Sequence, residues 1–323
     1  MNHGLSVSVR QETRRALSVA LRVLVPVGLV ALIWHFLGAS AGWERLATAS
    51  PLWLAAAVLA AQAQIVLSAF RWRLTAGRLG LQIGQGRAVG EYFLAQIVNM
   101  TLPGGVVGDA ARAGRMRHAA GLAVSGEAVV IERMAGQMAL AAVAVPGIVL
   151  ALTLGAPLGG AGMALVAVAV GVALLWGFRQ ALGARLARLP MLARFGASTR
   201  AALFAPAVRG RQIVLGLAIV ACNLAAFAFC ARATGTPLGP IATVAIVPLI
   251  LTAMLLPLSV GGWGWREGAA AALFPVAGFS AGAGLAASVA FGIVILIAAA
   301  PGALWPMMGT KVPDRSCSGS PSS

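Results

Sequence analysis

The stretch Asn99-Met100-Thr101-Leu102-Pro103-Gly104-Gly105-Val106-Val107-Gly108-Asp109-Ala110-Ala111-Arg112 decides how this chain is read. It closes a mostly apolar segment, Val89 to Asp109, that also carries Glu91, Gln96 and Asn99. Arg71, Arg73, Arg78 and Arg87 stand before that segment, and Arg112, Arg115 and Arg117 stand after it. Loops rich in arginine stay on the cytoplasmic face of a membrane, so both flanks belong on one side. A simple crossing would separate them. A re-entrant hairpin over about 88–110 keeps them together, with Pro103 and the glycines as its broken tip.

Working outward, the composition supports a membrane setting. Hydrophobic residues make up 60% of the chain and charged ones only 10%, against about 25% charged in an ordinary soluble domain. Runs near the roughly 20 residues a span requires recur along it: Leu17 to Leu37, Leu52 to Phe70, Val124 to Leu152, Met163 to Phe178, Gln212 to Ala231 and Leu285 to Met308. The net charge of +16 would suggest nucleic acid in a soluble protein. Here the arginines fall in short clusters between apolar runs, with no basic stripe interleaved with aromatics. That excludes nucleic acid as a partner and sets the basic loops against anionic headgroups. Cys222, Cys230 and Cys317 have neither a disulfide nor a metal spacing. His3, His35 and His118 are scattered, so no metal and no cofactor is expected.

A second segment, 241–275, is apolar but interrupted by Pro248, Pro257, Gly261-Gly262 and Trp263-Gly264-Trp265-Arg266-Glu267. It is read either as a hairpin entering from the opposite side or as two short spans. The hairpin version gives an all-α polytopic protein of about six transmembrane helices plus two re-entrant hairpins of opposite orientation. Such arrangements bring discontinuous helices together near the midplane of a transporter. Residues 1–16 are then a cytoplasmic arm and 17–310 a single transmembrane domain. The basic loop at about 179–211 is cytoplasmic and carries one or two surface helices, and 311–323 is a disordered cytoplasmic tail.

Ionisable groups in apolar spans cost about 2.5–3.5 kcal/mol each on insertion scales, so each is a functional candidate. The binding set is Asn99, Asp109, Arg112, Glu132, Arg133, Arg266 and Glu267, with Glu91, Glu127, Gln137, Trp263 and Trp265 as secondary candidates. Asp109 also suits a helix cap, and Trp263 and Trp265 also suit an interfacial anchor. Glu132 and Arg133 point about 100° apart on a helix and need partners on other segments. An arginine fork binds phosphate bidentately and stays charged in apolar surroundings. The two broken stretches are expected to converge on a polar chamber. No nucleophile motif or phosphate-cradling loop is present, so no catalytic residue is named.

The string from Asn99 to Arg112, with Arg71-Trp72-Arg73, Glu132-Arg133, Gly261-Gly262-Trp263-Gly264-Trp265-Arg266-Glu267 and Pro301-Gly302, resembles the lysylphosphatidylglycerol synthase transmembrane family. This flippase-like family includes the membrane half of the bacterial multiple peptide resistance factor, and the likeness covers roughly residues 20 to 310. The resemblance implies a lipid-handling domain of the bacterial inner membrane. Its expected function is to bind and translocate a phospholipid or another anionic lipid headgroup. The soluble aminoacyl-transfer domain of that relative has no counterpart here, so lysyl transfer is not expected. The alternatives are an integral-membrane lipid-linked glycosyltransferase, another lipid-modifying enzyme, or an accessory subunit of one. Expected partners are membrane lipids, with a separate lipid-modifying enzyme and a second copy of the chain left open.

Overall fold

The computed structural model describes residues 39–102, 105–154, 190–255 and 261–305, and every regular element in them is helical. The expectations for 1–16, Leu17 to Leu37, Met163 to Phe178, 179–189 and 311–323 lie outside those residues, as do Pro103, Gly104 and Pro257. The elements are α1 (Ala39–Ala47), α2 (Pro51–Arg78), α3 (Gln85–Thr101), α4 (Val107–Thr153), α5 (Pro190–Thr199), α6 (Pro206–Ala233), α7 (Pro240–Thr252), α8 (Trp265–Leu273), α9 (Ala281–Ala299) and α10 (Pro301–Leu304). Among the described residues, four stretches are long and apolar enough to cross a bilayer: Pro51–Arg78, Ala120–Thr153, Pro206–Ala233 and Ala281–Leu304. The protein is a multi-pass, all-α membrane protein.

Helices α2 and α6 form an antiparallel pair that organises the rest. At one end the Ser50 amide donates to the Ala233 carbonyl at 3.0 Å. At the other the Gln212 amide donates to the Thr75 hydroxyl at 3.0 Å. Pro51 and Pro206 each open their helix at a position where the missing amide proton costs nothing. α2 continues past Phe70 to Arg78, so Arg71 and Arg73 are helical residues and not a loop as the arginine cluster suggests. Likewise α6 begins at Pro206 and absorbs Arg209 and Arg211 from the expected loop. What remains of that loop in the described residues is α5 and a π-helical turn, Arg200–Phe204.

The first broken segment is a helical hairpin. α3 is about 25 Å long at 1.5 Å per residue, short of the roughly 30 Å hydrocarbon core. The side-chain oxygen Oδ1 of Asn99 accepts from the Gly108 backbone amide at 2.7 Å, tying the two sides of the tip together. Gly108 lies against the Ala95 carbonyl, where no side chain fits. The returning arm is longer than 88–110 predicts. It occupies 107–120 and carries Arg112, Arg115 and Arg117 within the helix. At Gly121 the backbone takes φ 83° and ψ 158°, a conformation essentially confined to glycine. The chain then folds back into the long apolar arm of α4.

The second broken segment is also a hairpin. α7 is about 20 Å long and α8 about 14 Å, so neither spans alone. Gly262 at the turn packs on Met254, at the far end of the first leg. Phe274, just after the second leg, packs at a tilt against Phe227 of α6 with ring centroids 6.3 Å apart. This hairpin therefore opens beside the C-terminal end of α6. The first opens beside the C-terminal end of α2, the opposite end of the bundle. Their tips meet: a Cβ at Gly261 would lie 2.9 Å from the Met100 carbonyl oxygen. α9 runs past both, with Gly284 on Ala270, Gly292 on Trp263, and beyond it Gly302 on Phe93 and Trp305 on Gly90 of α3.

Candidate functional site

Most of the sequence-predicted site residues gather at the first hairpin. Asp109 and Arg133 lie equally far in sequence from Gly121, one on each arm, so the fold-back brings them face to face. The Arg133 Nε donates to Asp109 Oδ2 at 2.7 Å, and its Nη2 pairs with the same oxygen. Arg112 Nη2 donates to the other carboxylate oxygen at 3.0 Å, and the Asn99 amide donates to Oδ2 at 3.2 Å. Asp109 is thus the hub of three segments: α3 and both arms of α4.

One residue before Arg133 on the second arm, Glu132 forms a companion centre. Arg71 Nη2 donates to its Oε1 at 2.7 Å, and the Tyr92 hydroxyl donates to the same oxygen at 3.2 Å. Arg112 Nη2 lies 3.7 Å from its other oxygen, Oε2. The Arg112 guanidinium is sandwiched between the Trp72 and Tyr92 rings, 4.3 Å and 4.5 Å from their centroids. Such stacking offsets part of the cost of removing the charge from water. Gly136 leaves the space Arg71 occupies, since a Cβ there would lie 3.0 Å from its Nη2. Glu132 and Arg133, adjacent in sequence, therefore find partners on different elements.

Charge and hydrogen bonding together define this centre. Three guanidinium groups (Arg71, Arg112, Arg133) meet two carboxylates (Asp109, Glu132), leaving one positive charge in excess. Arg71 Nε and Nη1 and Arg112 Nε and Nη1 are buried donors without a protein partner. Buried donors of this kind cost about 1–3 kcal/mol each unless something accepts from them. Arg133 is the group that opens the centre outward, its side chain 43% exposed beside a nearly buried Asp109. Glu91 pairs separately with Arg115 at 2.6 Å. Glu127 and Gln137 take no part in these hydrogen bonds.

The second hairpin holds a smaller, closed cluster. Glu267 is the third residue of α8, and its Oε2 accepts from the Gly264 amide at 2.6 Å, capping the helix. Its Oε1 accepts from Arg266 Nε at 3.0 Å, Arg266 Nη2 at 2.5 Å and the Ser288 hydroxyl at 3.1 Å. Arg266 sits over Trp263 at 5.0 Å and Phe291 at 5.4 Å. Both charged side chains are fully buried and cancel. Trp263 is thus a packing wall for Arg266 at the hairpin tip. Trp265 makes none of these contacts. The two tips touch through backbone, but among the described residues no hydrogen bond or ion pair joins the two charged clusters.

Arg71, Trp72, Tyr92 and Ser288 are site residues that sequence reasoning did not include. Arg71 was legible in principle, because Gln64, Ser68, Arg71 and Thr75 form a polar stripe on one face of an apolar helix. Tyr92 is the single tyrosine of the chain. Ser288 carried no signal.

Comparison with known proteins gives one result. The model of the family described as the lysylphosphatidylglycerol synthase TM region matches residues 18–302. No curated protein and no solved structure matches the chain.

Proposed function

The chain belongs to the lysylphosphatidylglycerol synthase transmembrane family, and on that premise we propose that it binds an anionic lipid headgroup at the first hairpin and passes it across the bacterial inner membrane. One observation carries this reading: a single uncompensated positive charge with unpartnered guanidinium donors, placed inside apolar helices. A monoanionic phosphodiester supplies the missing negative charge and the missing acceptors at once. Arg71, Arg112 and Arg133 receive the phosphate, while Asp109 and Glu132 hold the arginines in register and meet any cationic group the headgroup carries. The broken backbone between α3 and α4, beside this centre, supports a route on which a headgroup moves without crossing bare hydrocarbon. The arginine-rich end of α2 and α6 then faces the cytoplasm.

The enzymatic alternative needs a carboxylate free to take a proton or hold a metal. Asp109 faces Arg112 and Arg133, and Glu132 faces Arg71 and Arg112, which favours holding charge over exchanging it.

The test is transbilayer movement in reconstituted vesicles, over a panel of labelled anionic, zwitterionic and aminoacylated phospholipids. Movement of an anionic lipid, lost in Arg133→Ala, is the expected result. Equal movement of every lipid by both forms, or of none, overturns the reading.

A further inference from the structure

Around α2 from Arg71, toward its C-terminal end, lies a second basic feature that the lipid-passing centre does not use. A cavity of about 440 Å³ opens between α2, the turn leading to α3, and α6. Its floor is apolar, made by Phe70, Leu74, Ile83 and Leu215. Its rim is basic: Arg73, Arg78 and Arg211 line it, with the amide side chain of Gln82 beside them. The arginines belong to α2 and α6, and none of the three forms an ion pair among the described residues. Two are held in place by backbone. Arg73 Nε donates to the Ile83 carbonyl at 2.9 Å, and Arg78 Nε donates to the Ala201 carbonyl at 3.4 Å. Each guanidinium is thus anchored by one edge and keeps its Nη donors for something else.

Three uncompensated arginines lining one apolar trough match one kind of molecule in both halves. A phosphate fits the rim and a hydrocarbon chain fits the floor. The position agrees, since the cavity sits at the arginine-rich ends of two helices long and apolar enough to cross a bilayer, where headgroups are expected. A soluble phosphate compound satisfies the rim and leaves the trough unexplained. We propose that this cavity holds an anionic phospholipid of the adjoining leaflet, as a site separate from the Asp109–Glu132 centre. Its phosphate lies among Arg73, Arg78 and Arg211, and one acyl chain lies along Phe70, Leu74 and Leu215. The lipid would bridge α2 and α6 and bear directly on the helix that also carries Arg71.

The experiment is native mass spectrometry of the full chain released from detergent and titrated with phosphatidylglycerol or phosphatidylcholine. The wild type is compared with the triple variant R73Q/R78Q/R211Q. Each arginine near an anionic surface contributes about 1 kcal/mol, so losing three weakens phosphatidylglycerol binding on the order of a hundredfold. Phosphatidylcholine binding stays weak in both proteins. Millimolar inorganic phosphate leaves the bound lipid in place. Equal retention of phosphatidylglycerol by wild type and triple variant overturns the proposal. So does equal binding of phosphatidylcholine, or displacement of the lipid by inorganic phosphate alone. Should the triple variant fail to fold, Arg211→Gln on its exposed helix face, expected to weaken binding about fivefold, decides the matter the same way. Transport measured in parallel separates the two proposals. The triple variant changes bound lipid whether or not the chain moves lipid, and Arg133→Ala leaves this site occupied.

Discussion

The two hairpins place an acid at the same point, the third residue of the helix that follows the break, and then do opposite things with it. In the second hairpin, Glu267 meets one arginine, one hydroxyl and one backbone amide, and the whole group is sealed from its surroundings. In the first, Asp109 meets two arginines, of which Arg133 reaches an exposed face, and a second acid with a third arginine extends the group inward. A neutral, closed pair holds a broken backbone together. An open group with one charge too many invites an anion. The local motif is shared, and the arithmetic of the partners sets the role.

The most direct way to break this contrast is Glu267→Gln. It leaves Arg266 charged and unpaired in a sealed site, at a cost of about 3–5 kcal/mol. Thermal unfolding in detergent should show a large fall in midpoint, and the double variant Arg266→Met, Glu267→Gln should recover most of it. A single variant as stable as the wild type would mean that the pair is not the clamp. At the first hairpin, Arg133→Gln removes a charge-assisted bond worth about 1.5–3 kcal/mol. Because this side chain is partly exposed, the expected loss is in anionic-lipid binding, about 10- to 100-fold, with only a small change in unfolding midpoint. A stability loss matching that of Glu267→Gln would erase the distinction between the two sites.

Gly121→Ala tests the fold-back that makes the first centre. Nothing crowds a Cβ there, so the penalty is purely conformational, about 1–3 kcal/mol for φ 83° and ψ 158°. Reduced lipid binding together with lowered stability is the expected outcome, and an unaffected protein would mean the turn does not position Arg133. The smallest effect on lipid binding belongs to Arg115→Gln. Its half-exposed guanidinium pairs with a buried Glu91 outside the charge excess, so stability should fall by about 1–3 kcal/mol while lipid binding hardly changes.

The helical class, the membrane setting and both breaks were legible because they follow from composition and from the placement of Pro, Gly and Arg along the chain. Glu132 and Arg133 were legible as residues needing partners, since helical geometry turns adjacent side chains apart. Arg71 was misplaced for a clear reason. An arginine after an apolar run marks a membrane boundary by rule, and only packing reveals that α2 continues beyond it with Arg71 facing Glu132. Arg112 was read as a loop charge as well as a candidate. Its burial between two aromatic rings depends on α2 and α3, which lie elsewhere in the sequence.

Sequence alone determined that this chain lives in a bilayer, breaks its helices at two places and carries more arginine than acid. Those are properties of single segments, set by solvation and backbone sterics. Only the tertiary structure decided which arginine meets which acid, and therefore that one cluster is neutral and shut while the other is positive and open. Pairing depends on distances between segments far apart in the chain, and a Coulomb interaction in a low-dielectric interior depends steeply on those distances.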